Sequence, residues 1–149
     1  MEEKFNEYFK SIGITSKSLC NRIQTIYRIY SEVICPDQIE DIFVSEYFKE
    51  DGSREYESLW FFTSNYCMEA KQFIMKENFD IEPITKKISY WKVQSENYDF
   101  KEAKETSRLY LEFIIDLASG ITSRLKAAKG NCDFLKELIL KYIRPNLVQ

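Results

Sequence analysis

Hydrophobic residues recur with two different periods along this chain, helical near both ends and strand-like between them. Near the start, the three- and four-residue spacing of one helix face is kept by Phe5, Tyr8, Phe9 and Ile12. Gly13 interrupts this pattern, and Thr15, Ser16 and Ser18 are candidate caps for a second periodic segment that runs to Ile34. Because proline disfavours helix in the residue before it, this segment must end at Cys35-Pro36. The pattern predicts two helices within residues 1–36.

After residue 36 the chain is rich in β-branched and aromatic residues, which favours strands. The Asp51-Gly52 pair is a strong hairpin signal between two such stretches. The polar stretch from Ser95 to Lys104 is predicted to be a loop. The predicted strands cover residues 39–48, 56–63, 66–74, 79–84, 88–93, 108–117 and 121–128.

The C-terminal part returns to helical spacing. Apolar residues line one face of the segment 132–144, and Pro145 ends it. Asn131 is the predicted N-cap of this helix. The expected order is therefore two helices, six or seven antiparallel strands and one closing amphipathic helix, an α+β fold.

Three segments carry a resemblance to a known superfamily. Residues 58–65 (SLWFFTSN) are similar to a second strand and turn, residues 80–91 to a middle strand, and residues 121–143 to a final strand and closing helix. In this order they resemble the pleckstrin-homology-like (PH-like) superfamily, bacterial type. The resemblance implies a small, bent antiparallel β-barrel or sandwich of six to seven strands, closed by a C-terminal helix. The expected organisation is an N-terminal helical extension over residues 1–36 and one compact PH-like unit over residues 37–149.

The same resemblance implies a binding function, since many members bind proteins or membranes rather than catalyse reactions. Members that bind phosphoinositides carry several Lys and Arg residues on the first two strands and the loop between them. Here residues 37–69 contain two basic residues and nine acidic ones, a net charge of −7. This charge would repel a phosphate ligand, so phosphoinositide binding is not expected.

Composition excludes several kinds of chemistry. The chain has 149 residues, a formal net charge of −3 and no histidine, which removes Ser-His-Asp and Cys-His catalysis and every His-containing metal site. The net acidity argues against a general nucleic-acid binder. The four cysteines lie far apart in the sequence and are predicted to be reduced thiols, with no metal site and no cofactor. Cys132 lies near a helix start, a position that favours thiolate, but a small buried hydrophobe is the preferred interpretation. No signal peptide or membrane span is visible, so a cytoplasmic protein is expected.

The C-terminal part is oppositely charged, with a net charge of +4 over residues 122–149. Its basic residues form a candidate binding set with nearby cationic and aromatic residues, in full Arg124, Lys126, Lys129, Lys86, Lys87 and Trp91. An ordinary solvated face is the simpler interpretation of these charges. The acidic and basic segments could also bring two copies of the chain together.

The predicted function is a non-catalytic binding or scaffold module for a protein or peptide, which could be a second copy of the chain. Strand addition to an open sheet edge and docking beside the last helix are the two modes such a fold offers. One alternative is peripheral membrane or anionic-ligand binding through the basic C-terminal face. Another is a histidine-free enzyme that uses carboxylates such as Glu40-Asp41 or Glu55 and Glu57, with or without a divalent metal.

Overall fold

The computed structural model describes residues 1–34, 37–49, 54–73, 78–83, 88–99, 101, 103–115 and 122–147, and these form three α-helices and seven β-strands. The strands make two antiparallel sheets, one in the order β1-β2-β3-β4 and the other in the order β5-β6-β7. The predicted α+β class is therefore confirmed. The elements are α1 (Glu3–Ser11), α2 (Lys17–Ile29), β1 (Asp41–Phe48), β2 (Arg54–Phe62), β3 (Tyr66–Lys71), β4 (Asn78–Pro83), β5 (Tyr90–Asp99), β6 (Lys104–Ile114), β7 (Ser123–Ala128) and α3 (Asn131–Leu138).

Both predicted N-terminal helices are present, although the α-helical part of the second ends at Ile29 and not at Ile34. Gly13 follows α1 with a φ angle of +91°, a conformation that favours glycine, and thereby allows the sharp reversal into α2. The Ser16 side chain accepts a hydrogen bond from the backbone N–H of Leu19 at 3.1 Å, which confirms it as the N-cap of α2. A π-helical turn, Tyr30–Ile34, continues α2.

The second half of strand β2, residues 58–62, lies at the centre of the core and is buried on both faces. Phe61 stacks on Tyr30 of the helical segment, with ring centroids 5.3 Å apart. On the other face, Trp60 contacts Phe113 of the second sheet, with a centroid separation of 6.2 Å. Because helices cover one face and the second sheet lies against the other, the continuous apolar run in β2 is buried throughout. Each fully buried aromatic side chain contributes about 1.5–3 kcal/mol through removal from water.

The second sheet corrects one sequence prediction. Residues 95–104 were expected to form a loop, but β5 continues to Asp99 and β6 begins at Lys104. The hairpin extends because the two strands keep their backbone pairing along this polar stretch, with Glu96 opposite Arg108 and Asp99 opposite Lys104. Paired backbone N–H and C=O groups, which need partners of this kind, extend the hairpin through the polar stretch. The predicted loop is therefore wrong over most of its length.

Helix α3 corrects a second prediction. Gly130, not Asn131, occupies the N-cap position, and Asn131 is the first helical residue. The Asn131 side chain is buried and accepts a hydrogen bond from the Tyr8 hydroxyl at 2.8 Å. Its amide group donates to the backbone carbonyl of Val44 at 3.0 Å and to the Glu46 carboxylate at 3.3 Å. Asn131 thus joins three elements instead of capping its own helix.

The two sheets approach each other where β1 meets β7. The Ser45 hydroxyl accepts a hydrogen bond from the backbone N–H of Lys126 at 2.9 Å. One oxygen of the buried Glu46 carboxylate accepts from the backbone N–H of Ala128 at 2.8 Å. Side chains of β1 therefore accept hydrogen bonds from backbone N–H groups of β7. Within a sheet, backbone carbonyl groups of the neighbouring strand accept these hydrogen bonds. The predicted turn at Asp51-Gly52 lies outside the described residues.

Candidate binding surfaces

The structure separates the residues of the predicted binding set. Arg124 and Lys126 lie on β7 opposite Glu112 and Tyr110 of β6, and therefore share the outer face of the second sheet. Trp91 lies on β5 opposite the buried Phe113, so it belongs to the other face of the same sheet.

Lys129 lies in the turn that follows β7, where its backbone N–H donates to the carbonyl of Ser107 at 2.7 Å. Lys86 and Lys87 lie outside the described residues.

Arg124 is held within the protein's own charge network. Its guanidinium lies 3.1 Å from the Glu112 carboxylate, which also accepts a hydrogen bond from the Tyr110 hydroxyl. The hydrogen bond from Tyr110, together with the guanidinium, lowers the pKa of Glu112. Burial, followed by the hydrogen bond to Glu112, raises the pKa of Tyr110. Arg124 therefore already has an anionic partner.

Lys126 has a different environment. Its side chain is half-buried, and its ammonium nitrogen lies 5.5 Å from the centroid of the Tyr47 ring and 5.8 Å from that of the Tyr110 ring. Arg108 of β6 is arranged in a similar way, with its guanidinium carbon 4.9 Å from the centroid of Phe48. Cation–π contacts of this kind orient a positive charge and leave its hydrogen-bond donors available.

These two cations line a cleft of about 430 Å³ on the outer face of the second sheet. We call it the outer cleft, and its lining residues are Phe48, Gln94, Ser95, Glu96, Arg108, Leu109, Tyr110 and Lys126. A smaller cleft of about 220 Å³ shares Ser95, Arg108 and Leu109 with it and extends toward Lys129 and Lys136. The two clefts therefore adjoin at β5 and β6, and both contain cationic residues.

Sequence reasoning identified Lys126 and Lys129 but missed Arg108, Tyr110 and Phe48. The cleft is built from β1, β5, β6 and β7, so its lining is not contiguous in sequence. One local signal was present: in β6, Arg108 and Tyr110 alternate with the buried Leu109 and Leu111. This period of two places Arg108 and Tyr110 together on the solvent side of the sheet.

A second surface is the free edge of the second sheet. Among the described residues, β5 pairs with β6 only. Three side chains of β5 are unusually exposed for apolar or aromatic residues, namely Tyr90, Trp91 (49%) and Val93 (38%). Trp91 and Val93 lie opposite Phe113 and Leu111, on the face that is buried elsewhere in the sheet. An apolar strip thus lies open along this edge.

The candidate catalytic groups are engaged in structural contacts. Cys132 is buried, its thiol lies 3.4 Å from the carbonyl oxygen of Ser107, and burial raises its pKa, which disfavours the thiolate. Asp41 lies 2.9 Å from the Lys141 ammonium, and both Glu40 and Asp41 accept hydrogen bonds from the Tyr142 hydroxyl. Burial and these two carboxylates raise the pKa of Tyr142.

Metal-ligand groups and membrane-spanning helices are the remaining features to consider in the described residues. Within them, no group of three or more His, Cys, Asp or Glu residues is arranged to hold a metal ion. No helix in that part of the chain is both long and apolar enough to cross a membrane.

Comparison with known proteins adds no relative. A scan against protein-family models and searches of curated proteins and of solved structures found no match to this chain.

Proposed function

We propose that this protein is a non-catalytic module that binds a protein or peptide partner by adding a strand to the free edge of β5. In this mode, main-chain hydrogen bonds supply affinity and pockets for alternate side chains supply specificity. A strand of ten residues that pairs with β6 only, among the described residues, offers such an edge.

The observation that carries this proposal is a strand contact already made just before β5. The backbone N–H of Ile88 donates to the carbonyl of Asn146 at 3.0 Å, and Ile88 forms a parallel bridge with Leu147. The next N–H, that of Ser89, donates in the other direction to Ile114 of β6. The C-terminal segment therefore pairs with the chain on the side away from β6.

The backbone direction of β5 follows from its pairing with β6. The Ser107 carbonyl accepts from Lys129 on the β7 side and the Ile114 carbonyl accepts from Ser89 on the β5 side, so the even-numbered residues of β6 face β5. Their partners on β5, Tyr90 and Lys92, therefore direct their N–H and C=O groups to β6, and Trp91 and Val93 direct theirs to the free edge. The exposed Trp91 and Val93 would then supply an apolar surface for side chains of the added strand.

The order of elements also supports a PH-like fold. Four strands, then three strands, then a terminal helix agree with the resemblance found in residues 58–65, 80–91 and 121–143. The contact of β1 with β7 through Ser45 and Glu46 would close the two sheets into a bent barrel. We infer a binding role from this fold class, since many of its members bind proteins.

Selection of random peptides displayed on phage, with the immobilised protein as target, tests the proposal. Selected peptides are synthesised with a fluorescent label, and their affinity is measured by fluorescence anisotropy. Hydrogen exchange of the complex should show protection of the amides of Trp91 and Val93. Val93→Pro removes one edge donor and should weaken binding about tenfold or more, since an unmade hydrogen bond and a steric clash both oppose pairing.

Val93→Ala is the matched control, because it shortens the same side chain and keeps the backbone N–H. It should bind within about fivefold of the unmodified protein, since the lost, partly exposed apolar surface costs about 1 kcal/mol or less. Equal affinity of the proline and alanine variants, with both folded by circular dichroism, would contradict strand addition. Selected peptides that leave the β5 amides unprotected would contradict it as well.

A further inference from the structure

The outer cleft carries more positive than negative charge. Among the described residues, neither Arg108 nor Lys126 forms an ion pair with a carboxylate. Glu96 is the one carboxylate that lines the cleft within the described residues, and although it lies opposite Arg108 in the strand register, the two form no ion pair. The charges of Arg108 and Lys126 are therefore available to an anionic ligand.

The smaller cleft adds positive charge near the site. Lys129 and Lys136 line it together with Asp133, whose carboxylate lies 3.9 Å from the Lys136 ammonium. One cation of this pair is thereby compensated, and Lys129 is a third charge without an ion-pair partner among the described residues. The two clefts share Arg108, so Lys129 lies beside the outer cleft and not within it.

The strand register fixes the spacing of the first two cations. Arg108 and Tyr110 are two residues apart on β6, and Lys126 lies directly opposite Tyr110. Arg108 and Lys126 are therefore diagonal neighbours on one face, with Cα atoms about 7–8 Å apart. In an extended chain, alternate residues on one side are about 6.6–6.8 Å apart. Two acidic side chains separated by one residue would match this pair.

We propose that the outer cleft binds an acidic peptide segment with carboxylates at alternate positions, one for Arg108 and one for Lys126. This site is separate from the free edge of β5, so the inference goes beyond the proposed function. The rings of Tyr47, Phe48 and Tyr110 hold the two cations at the cleft and provide apolar contact for the residue between the carboxylates.

The shape of the site favours a peptide over a lipid surface. The cations line a concave cleft of about 430 Å³, in which a short extended segment can lie. A flat bilayer cannot follow such a concave surface closely, so it would contact the two cations less well than an extended segment.

Fluorescence anisotropy with a labelled peptide that has glutamate at alternate positions tests the inference. We expect saturable binding, absent for the same peptide with glutamine in place of each glutamate. Arg108→Gln and Lys126→Gln should each weaken binding about tenfold, the loss typical of one charge-assisted hydrogen bond. Glu96→Gln should tighten binding, a gain that misfolding cannot produce.

Arg124→Gln is the matched control, since it removes the same charge from the same sheet face. Because Arg124 already contacts Glu112 at 3.1 Å, this variant should bind within about threefold of the unmodified protein. Equal losses in Arg124→Gln and Lys126→Gln would overturn the inference, because general charge would then explain binding.

Two further outcomes would overturn the inference. One is no binding of the acidic peptide by the unmodified protein. The other is co-sedimentation with vesicles of anionic phospholipid that is lost in the Arg108→Gln, Lys126→Gln double variant, which would assign the site to a membrane.

Strand addition is tested separately, because Val93→Pro should leave binding of the acidic peptide intact. Failure of the acidic peptide alongside selected peptides that protect the β5 amides would reject the cleft and retain the proposed function.

Discussion

At Tyr8, a single hydroxyl group connects the N-terminal helix with a strand and the C-terminal helix. It accepts a hydrogen bond from the backbone N–H of Val44 and donates one to the Asn131 side chain, both at 2.8 Å. All three residues are buried, and the Tyr8 ring also contacts Phe134 with a centroid separation of 4.5 Å. Since an unsatisfied buried polar group is costly, this one hydroxyl has a large effect on stability.

Tyr8→Phe should therefore lower the free energy of unfolding by about 1–3 kcal/mol, because the Val44 N–H and the Asn131 carbonyl oxygen each lose a partner in a buried site. Urea unfolding followed by circular dichroism measures this change. Tyr27→Phe is the control, since the Tyr27 hydroxyl makes no hydrogen bond with the described residues, and it should change stability by less than about 0.5 kcal/mol. Equal effects of the two variants would contradict the role of Tyr8.

The Tyr8→Phe variant should also differ from the unmodified protein in how its free energy of unfolding depends on alkaline pH. Burial raises the pKa of Tyr8 above its usual value, so the folded protein keeps the proton after the unfolded chain has lost it. The stability that Tyr8 contributes is complete below about pH 10 and falls as the pH rises further. Phenylalanine cannot ionise, so the stability difference between the two proteins should shrink above pH 10.

The outcome at Tyr8 and Asn131 shows which residue roles the sequence can predict. Helical spacing correctly places Tyr8 on the apolar face of α1. Its hydrogen-bond partners are 36 and 123 positions away, a distance over which no local pattern extends. Asn131 has a typical N-cap sequence position, but tertiary partners on α1 and β1 engage its side chain instead.

At the scale of elements, helices and apolar strands followed the prediction, while the β5–β6 hairpin did not. Periodicity detects a strand through its buried face, and residues 91–97 of β5 are exposed. What keeps the distal end of β5 extended is its pairing with β6, a nonlocal feature. For the same reason, the sequence predicts the outer cleft only in part. The charge pattern along the chain indicates Lys126, but it does not show which strands lie beside β7.

The turn between α1 and α2 yields a prediction at this scale. Gly13 has a φ angle of +91°, and Gly13→Ala should lower the free energy of unfolding by about 1–2 kcal/mol, because a side chain is strained in this conformation. A Cβ atom would lie 3.6 Å from the Tyr56 hydroxyl, an ordinary contact, so the cost comes from the backbone. Thermal or urea unfolding measures the change.

Gly130→Ala is the matched control for this turn. Gly130 has a φ angle of −61° and nothing within 4 Å of an added Cβ atom, so alanine fits without strain. This variant should be neutral or slightly stabilising, because alanine restricts the unfolded chain. A larger loss at Gly130 than at Gly13 would show that backbone conformation does not control the α1–α2 turn.

Over the whole molecule, the opposite charges of the two chain segments meet within one copy. Lys141 of the basic C-terminal segment contacts Glu40 and Asp41 of the acidic segment, at 3.8 Å and 2.9 Å. Glu46, another acidic residue of that segment, is buried against the backbone of Ala128. Charge asymmetry along the sequence therefore reflects, in part, contacts that the fold itself makes.

These internal contacts weaken the case for charge-driven self-association. We expect the sedimentation coefficient of the protein to be that of a monomer at both about 0.1 M and about 1 M salt, where the Debye length falls from about 10 Å to about 3 Å. Over the same range, the free energy of unfolding should change by less than about 1 kcal/mol, because the Lys141 pairs lie at a partly exposed site and such pairs contribute little. Sedimentation velocity and urea unfolding at the two salt concentrations measure both quantities. A dimer at low salt that dissociates at high salt would contradict this expectation. It would mean that the acidic strands of one copy bind the basic face of another. Comparison of Lys126→Gln with Arg124→Gln would then show whether the outer cleft is the surface involved.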